Sequence, residues 1–300
     1  MTVRFGINTG FATNRFSEPE EWTRVVNSSG IRYVQFTADL LNVSMPRRII
    51  DTQTKRILKA CRKNNIKVLS TFTSAFTRVN HLAHPDKDIR NYWIDWFKKF
   101  AELTIDLDSN VFGSHFGIFT NKDNSNPSLR EMRRQQNIEC WHEVGEYAKS
   151  LGIDHILWEP MSISREQGET LEACYKLQED VNVKTPIPFK ICLDVDHGDA
   201  TSGNPKDVDY LEWIRMFKND SSCIHLKQSS DNKGGHWPFT KEHNAEGKIQ
   251  PLKIMEELNK SDLSIDLMLE LSFKERDPID SNVEKAINES AEYWGNFVTL

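Results

Sequence analysis

Eight times along this 300-residue chain a short apolar run gives way to a segment whose apolar residues recur at helical spacing. The runs are Arg4–Asn8, Tyr33–Phe36, Lys67–Thr71, Val111–His115, His155–Trp158, Phe189–Leu193, Cys223–Leu226 and Asp266–Leu271. Alternating strand and helix predicts parallel strands covered by helices. Eight such units within 300 residues favour a closed α/β barrel, one domain over residues 1–300, ahead of an open doubly wound sheet. An open sheet usually brings a Gly-x-Gly-x-x-Gly turn or a phosphate loop, and the chain has neither.

The intervening segments carry their own punctuation. Ser17-Glu18-Pro19-Glu20 reads as a capping box with proline in the first turn, opening a helix through Val26. Asp51 is expected to cap Thr52–Asn64, which stops at an Asn pair. Ile89, Tyr92, Trp93, Trp96, Phe97, Phe100 and Leu103 recur at steps of three and four, the stripe of a helix packed on a barrel. Further helices are expected over Ser128–Leu151, ended by Gly152, and over Gly168–Val181, Asp207–Phe217, Gln250–Asn259 and Asp280–Phe297. The longest irregular stretches, Gly117–Asn126, Met161–Gln167, His197–Pro205 and Gln228–Lys248, all follow a strand. They would therefore lie at the barrel mouth.

Four of the runs end on a side chain that can hold a metal. They are Ile156-Leu157-Trp158-Glu159, Lys190-Ile191-Cys192-Leu193-Asp194, Cys223-Ile224-His225 and Leu267-Met268-Leu269-Glu270. Parallel strands of a closed barrel deliver their carboxyl ends to one mouth, so residues about 30 to 45 positions apart would converge there. Three carboxylates and one imidazole suit a hard divalent cation, Mn²⁺ first, with Mg²⁺ or Co²⁺ as alternatives. A carboxylate that ligates through one oxygen can move a proton with the other, so Glu159 and Glu270 are also candidate acid/base residues beside a carbonyl. His197, three residues after Asp194, is placed to fold back over the mouth. His115, between Gly113 and Gly117, is either a substrate contact or a satisfied core histidine.

Composition removes several classes. No run of eighteen apolar residues exists, and Met1-Thr2-Val3-Arg4-Phe5-Gly6 lacks a signal-peptide core, so neither a membrane span nor export is expected. Cysteines 61, 140, 174, 192 and 223 form no close pair, which fits free thiols in a reducing cytoplasm. A net charge of −6 disfavours nucleic acid as a partner. The expected partner is a small molecule, and a homodimer is left open.

On these residues the chain resembles the xylose isomerase-like TIM barrels of the sugar-phosphate isomerase and epimerase type. Glu159, Asp194, His225 and Glu270, with Asp194-x-x-His197, are similar to the metal set of the ketose 3-epimerases. Gly6-Ile7-Asn8-Thr9, Gly113-Ser114-His115-Phe116-Gly117, Trp158-Glu159-Pro160-Met161-Ser162, His225-Leu226-Lys227-Gln228 and His236-Trp237-Pro238-Phe239 look like the tetrulose-phosphate epimerases. The resemblance implies a (β/α)8 barrel and a short phosphorylated ketose, such as erythrulose phosphate, inverted at C3. One departure stands out. Epimerases of free hexuloses carry arginine six residues after the metal histidine, where this chain has Asp231. Lys227, Lys233, His236 and the Gly234-Gly235 backbone are the candidate phosphate contacts, with Lys227 alternatively orienting the enediolate. Two other outcomes remain: an aldose–ketose isomerase, and an endonuclease IV-type phosphodiesterase acting at abasic DNA. The second would need a histidine near Ser70-Thr71-Phe72-Thr73, and there is none.

Overall fold

The computed structural model describes residues 2–231 and 233–300 of the protein. Eight parallel strands close into a barrel. They are β1 (Thr2–Asn8), β2 (Tyr33–Thr37), β3 (Lys67–Phe72), β4 (Val111–His115), β5 (His155–Glu159), β6 (Phe189–Asp194), β7 (Ser221–Leu226) and β10 (Ser264–Leu269). Between β7 and β10 lies an antiparallel hairpin, β8 (Gln228–Ser230) with β9 (Lys233–Trp237). β1 closes the ring on β10 through six consecutive pairs, Thr2 to Ile7 against Ser264 to Leu269. The long outer helices are α1 (Pro19–Ser28), α2 (Arg47–Lys63), α3 (Lys87–Asp106), α5 (Pro127–Leu151), α6 (Leu171–Asn182), α7 (Tyr210–Phe217), α9 (Pro251–Leu258) and α10 (Val283–Gly295); α4 (Asn121–Ser125) and α8 (Lys241–Glu246) are short. Among the described residues no helix is long and apolar enough to cross a membrane.

Two apolar layers hold this together. The larger lies between strands and helices, where Trp22, Phe36, Trp141, Trp158 and Trp294 are fully buried. The smaller fills the barrel interior with Leu69, Phe72, Leu157, Cys192, Cys223 and Met268. Gly113 belongs to this tight interior. A Cβ there would sit 2.6 Å from Leu157 Cβ and collide with the Phe72 ring, so only glycine lets β4 approach.

Several boundaries differ from expectation, each for a local reason. Glu18, not Ser17, precedes α1, and no side chain caps it; Pro19 supplies the start. α2 begins at Arg47 after Pro46, which leaves Asp51 inside the helix, paired with Arg47 at 2.7 Å. In α3 the inner part of the stripe is buried, whereas Ile89 and Tyr92 face solvent. Asn126 caps α5 through Leu129 N–H, Thr170 caps α6, and Gly152 ends α5 at φ 90°. The stretches expected to be helical from Asp207 and from Asp280 each begin as a 3₁₀ turn before α7 and α10. The 228–248 stretch is not irregular; it contains β8, β9 and α8.

Candidate active site

Side chains alternate across a strand, so the residue two before an inward ligand also points inward. Leu157, Cys192, Cys223 and Met268 stand two before Glu159, Asp194, His225 and Glu270, and all four belong to the interior apolar layer. The four polar residues thus form the next layer toward the mouth. Each offers one ligand atom, and those atoms lie within 4.8 Å of one another. His225 Nδ1 is 3.1 Å from Glu159 Oε1 and 3.6 Å from Glu270 Oε1. In ring order β10 flanks β7 on one side while β6 and then β5 flank it on the other. The two glutamates therefore reach one nitrogen from opposite directions.

The other nitrogen of His225 is already committed. Nε2 donates to Gln35 Oε1 at 2.7 Å, and the same oxygen accepts from Asn8 Nδ2 at 2.9 Å. Gln35 Nε2 in turn reaches Ser70 Oγ at 3.2 Å. With the Nε2 proton held there, Nδ1 and Glu159 Oε1 face each other as two acceptors, and such a pair needs a proton or a cation between them. Burial works against a charge on His225, but Glu270 and Glu159 outweigh it and raise its pKa to about 10. The donor set, three carboxylate oxygens and one imidazole nitrogen, fits Mn²⁺, Mg²⁺ or Co²⁺.

Lys227 does not lie out on a loop. It is buried, with Nζ in close contact with Asp194 Oδ2 and 3.1 Å from Glu270 Oε2. Burial opposes ionisation of both carboxyls, yet both are held below their usual range, Asp194 by His197 and Lys227, Glu270 by Lys227 and His225. His236 sits 3.2 Å from Glu270 Oε2. His197 donates from Nδ1 to the Pro160 carbonyl at 2.9 Å and turns Nε2 to within 3.7 Å of Asp194. Glu159, Glu270, His115, His197 and His236 all line one mouth cavity of about 350 Å³, a size that suits a small sugar.

A family profile described as xylose isomerase-like TIM barrel matches residues 23–296. The chain belongs to that family. It is 40% identical over 297 residues to the D-erythrulose 1-phosphate 3-epimerase of Brucella abortus (strain 2308), covering 98% of this chain and 96% of that protein. Among solved structures it is similar to a candidate xylose isomerase of Rhodospirillum rubrum ATCC 11170, at TM-score 0.88, 23% identity and 99% coverage of both chains. The D-psicose 3-epimerase of Clostridium cellulolyticum H10, solved with D-tagatose, matches at TM-score 0.71 and 16% identity, over 98% of this chain and 97% of that one. Both structural likenesses speak to the fold this family member shares.

Within this xylose isomerase-like barrel two of the phosphate candidates meet, Lys227 Nζ lying 3.2 Å from His236 Nδ1, while the diglycine is engaged elsewhere. The Gly235 N–H donates to Asp196 Oδ2 at 3.1 Å, and Asp196 Oδ1 accepts from Ser229 Oγ at 2.6 Å and pairs with Lys248 at 3.1 Å. The diglycine segment of β9 is therefore fastened to a carboxylate, and the Lys233 side chain lies outside the described part. Of the group, His236 faces the cavity. Two arginines that the sequence did not single out, Arg15 and Arg78, also line it. Gln35 was missed as well. Its signal was a lone amide inside the apolar run Tyr33-Val34-Gln35-Phe36, on a strand with no ligand of its own.

His115 donates from Nε2 to the Val79 carbonyl at 3.2 Å and packs on His81, ring centroids 4.3 Å apart. Burial pushes both below the ordinary 6.5, His115 to about 4, and burial with nearby Lys190 does the same to His155. Folded-state values lie below the unfolded one, so the unfolded chain binds more protons between about pH 6.5 and 4. The stability is present above pH 6.5 and is lost as pH falls through that window, roughly 2 kcal/mol each for His115 and His155 between pH 7 and 5. Urea titrations of the parent and of His155→Gln at both pH values should show a shallower loss in the variant. Equal losses would remove His155 from the account.

Proposed function

We propose that this chain is a metal-dependent 3-epimerase of a short ketose phosphate of the erythrulose phosphate type. The observation that carries the reading is the pair of carboxylates, Glu159 and Glu270, reaching one imidazole nitrogen from opposite directions at the floor of a sugar-sized cavity. Glu159, Asp194, His225 and Glu270 would hold the divalent cation, Mn²⁺ ahead of Mg²⁺ or Co²⁺. Bound there, it supplies the Lewis-acid charge that an enediolate oxyanion requires. One glutamate takes the C3 proton from one face, and the other returns a proton to the opposite face. Lys227 keeps Glu270 ionised and fixed, and His236, its other partner, closes over the cavity side. His115 and His197 shape the wall around the sugar.

The phosphate rests on two supports: 40% identity to a protein named for D-erythrulose 1-phosphate, and Asp231 where free-hexulose epimerases carry arginine. The enzyme is an isomerase by class, working in the cytoplasm on a small molecule. The test is incubation of Mn²⁺-loaded protein with tetrulose phosphates and free tetruloses in D₂O, with deuterium located by NMR. Label should appear at C3, much faster for the phosphate ester. Label at C1 would reassign the chain as an aldose–ketose isomerase, equal rates on the free sugar would remove the phosphate requirement, and no label would overturn proton transfer altogether.

A further inference from the structure

Two nucleophiles beneath the site take no part in that chemistry. Cys192 on β6 and Cys223 on β7 are direct register partners, both fully buried and both free thiols. Standing two residues before Asp194 and His225, they face the barrel axis one layer below the carboxylates. Their sulfurs and a ring nitrogen of His225 lie within 4.8 Å of one another. Gln35 closes the remaining side, its Nε2 3.7 Å from Cys223 Sγ and its Oε1 2.7 Å from His225 Nε2. Phe72 connects this nest to the mouth, since it lines the cavity, packs in the same interior cluster and sets its ring edge-on to His225 at 5.1 Å.

We propose that Cys192, Cys223 and His225 form a site for one thiophilic cation of the Zn²⁺ or Cd²⁺ class. Two sulfurs and an imidazole nitrogen supply three of the four positions such ions take, and thiolate selects them over Mn²⁺ and Mg²⁺. The two sites differ in hardness and share one residue. On binding, the two S–H bonds break, their protons pass to solvent, and two sulfur–metal bonds form. His225 Nε2 also gives up its proton to solvent, while Nδ1 keeps the proton it donates to Glu159 Oε1 across the 3.1 Å gap. The ring then has no lone pair left for the cluster above. A soft ion in the lower nest thereby excludes the hard ion from the upper one. That exclusion rests on the function proposed above; the soft site itself does not.

Cadmium is the probe. Added to the full-length protein, one Cd²⁺ per chain should produce a thiolate-to-cadmium charge-transfer band, and Cys192→Ala and Cys223→Ala should each abolish it. Cys140→Ser and Glu270→Gln should keep it; the second keeps this test independent of the carboxylate cluster. Cadmium-edge X-ray absorption on the unmutated protein should find two sulfurs in the coordination shell, which holds even if a core variant folds poorly. A shell of oxygen alone, no band, or a band that persists in both cysteine-to-alanine variants would overturn the site. If the band behaves as expected while Mn²⁺ binding is undiminished, the soft site stands and the exclusion of the hard ion falls.

Discussion

Glu159→Gln and Glu270→Gln should each lower turnover by about 10²- to 10⁴-fold, the range that a positioned acid/base group contributes. The amide keeps the shape of the carboxylate and removes its capacity to carry a proton at neutral pH. Each glutamate also supplies a ligand atom to the cluster, so the loss should exceed that of a ligand alone. The informative measurement is the partial reaction. With one base intact, one epimer should still exchange its C3 proton with D₂O although no inversion follows, and the complementary variant should act on the other epimer. Near-normal turnover in either variant would exclude a two-base mechanism. Loss of exchange from both epimers in both variants, with metal content unchanged, would instead point to a single base.

Lys227→Met should destabilise the fold by about 3–5 kcal/mol when measured in the presence of a chelator, because it removes the lysine charge shared by two buried carboxylates and leaves Asp194 and Glu270 to their histidine neighbours. Methionine fills a similar volume, so the loss reports charge and not a cavity. Saturating Mn²⁺ should then raise the urea midpoint of the variant more than that of the parent, since the divalent ion supplies the charge that the lysine did. A variant as stable as the parent in chelator would show that Lys227 does not balance these carboxylates.

The barrel was readable because its signal is local. Buried parallel strands are continuous apolar runs, and eight of them lay where expected to within two or three residues. The four converging residues were readable for the same reason, since each directly follows such a run. What escaped depends on contacts between distant segments. Nothing near Lys227 says that it will sit between Asp194 and Glu270, and a basic residue before a Gly-Gly turn reads naturally as an exposed anion contact. Asp196 hides in the same way, because its bond to Gly235 joins residues 39 positions apart. Gln35 reaches His225 across 190 positions. Pro19 opens α1 as expected but without the side-chain cap, and the start of α2 was misplaced because Pro46, also without one, precedes it.

The polar residues are not distributed evenly around the ring. β5, β6, β7 and β10 carry the four converging residues at or just past their ends, whereas β1 to β4 bring Asn8, Gln35, Thr73, Ser114 and His115 to the same end of the barrel. On the function proposed above, one arc of the barrel carries the chemistry, and the opposite arc contacts whatever lies in the cavity without joining the carboxylate cluster. Gln35 ties the two arcs together at the floor, through His225 at 2.7 Å and Cys223 at 3.7 Å. Substrate preference can therefore be rewritten on the first four strands while the reaction is preserved on the last four, provided Gln35 is left in place. A laboratory search for new sugars has its natural boundary there.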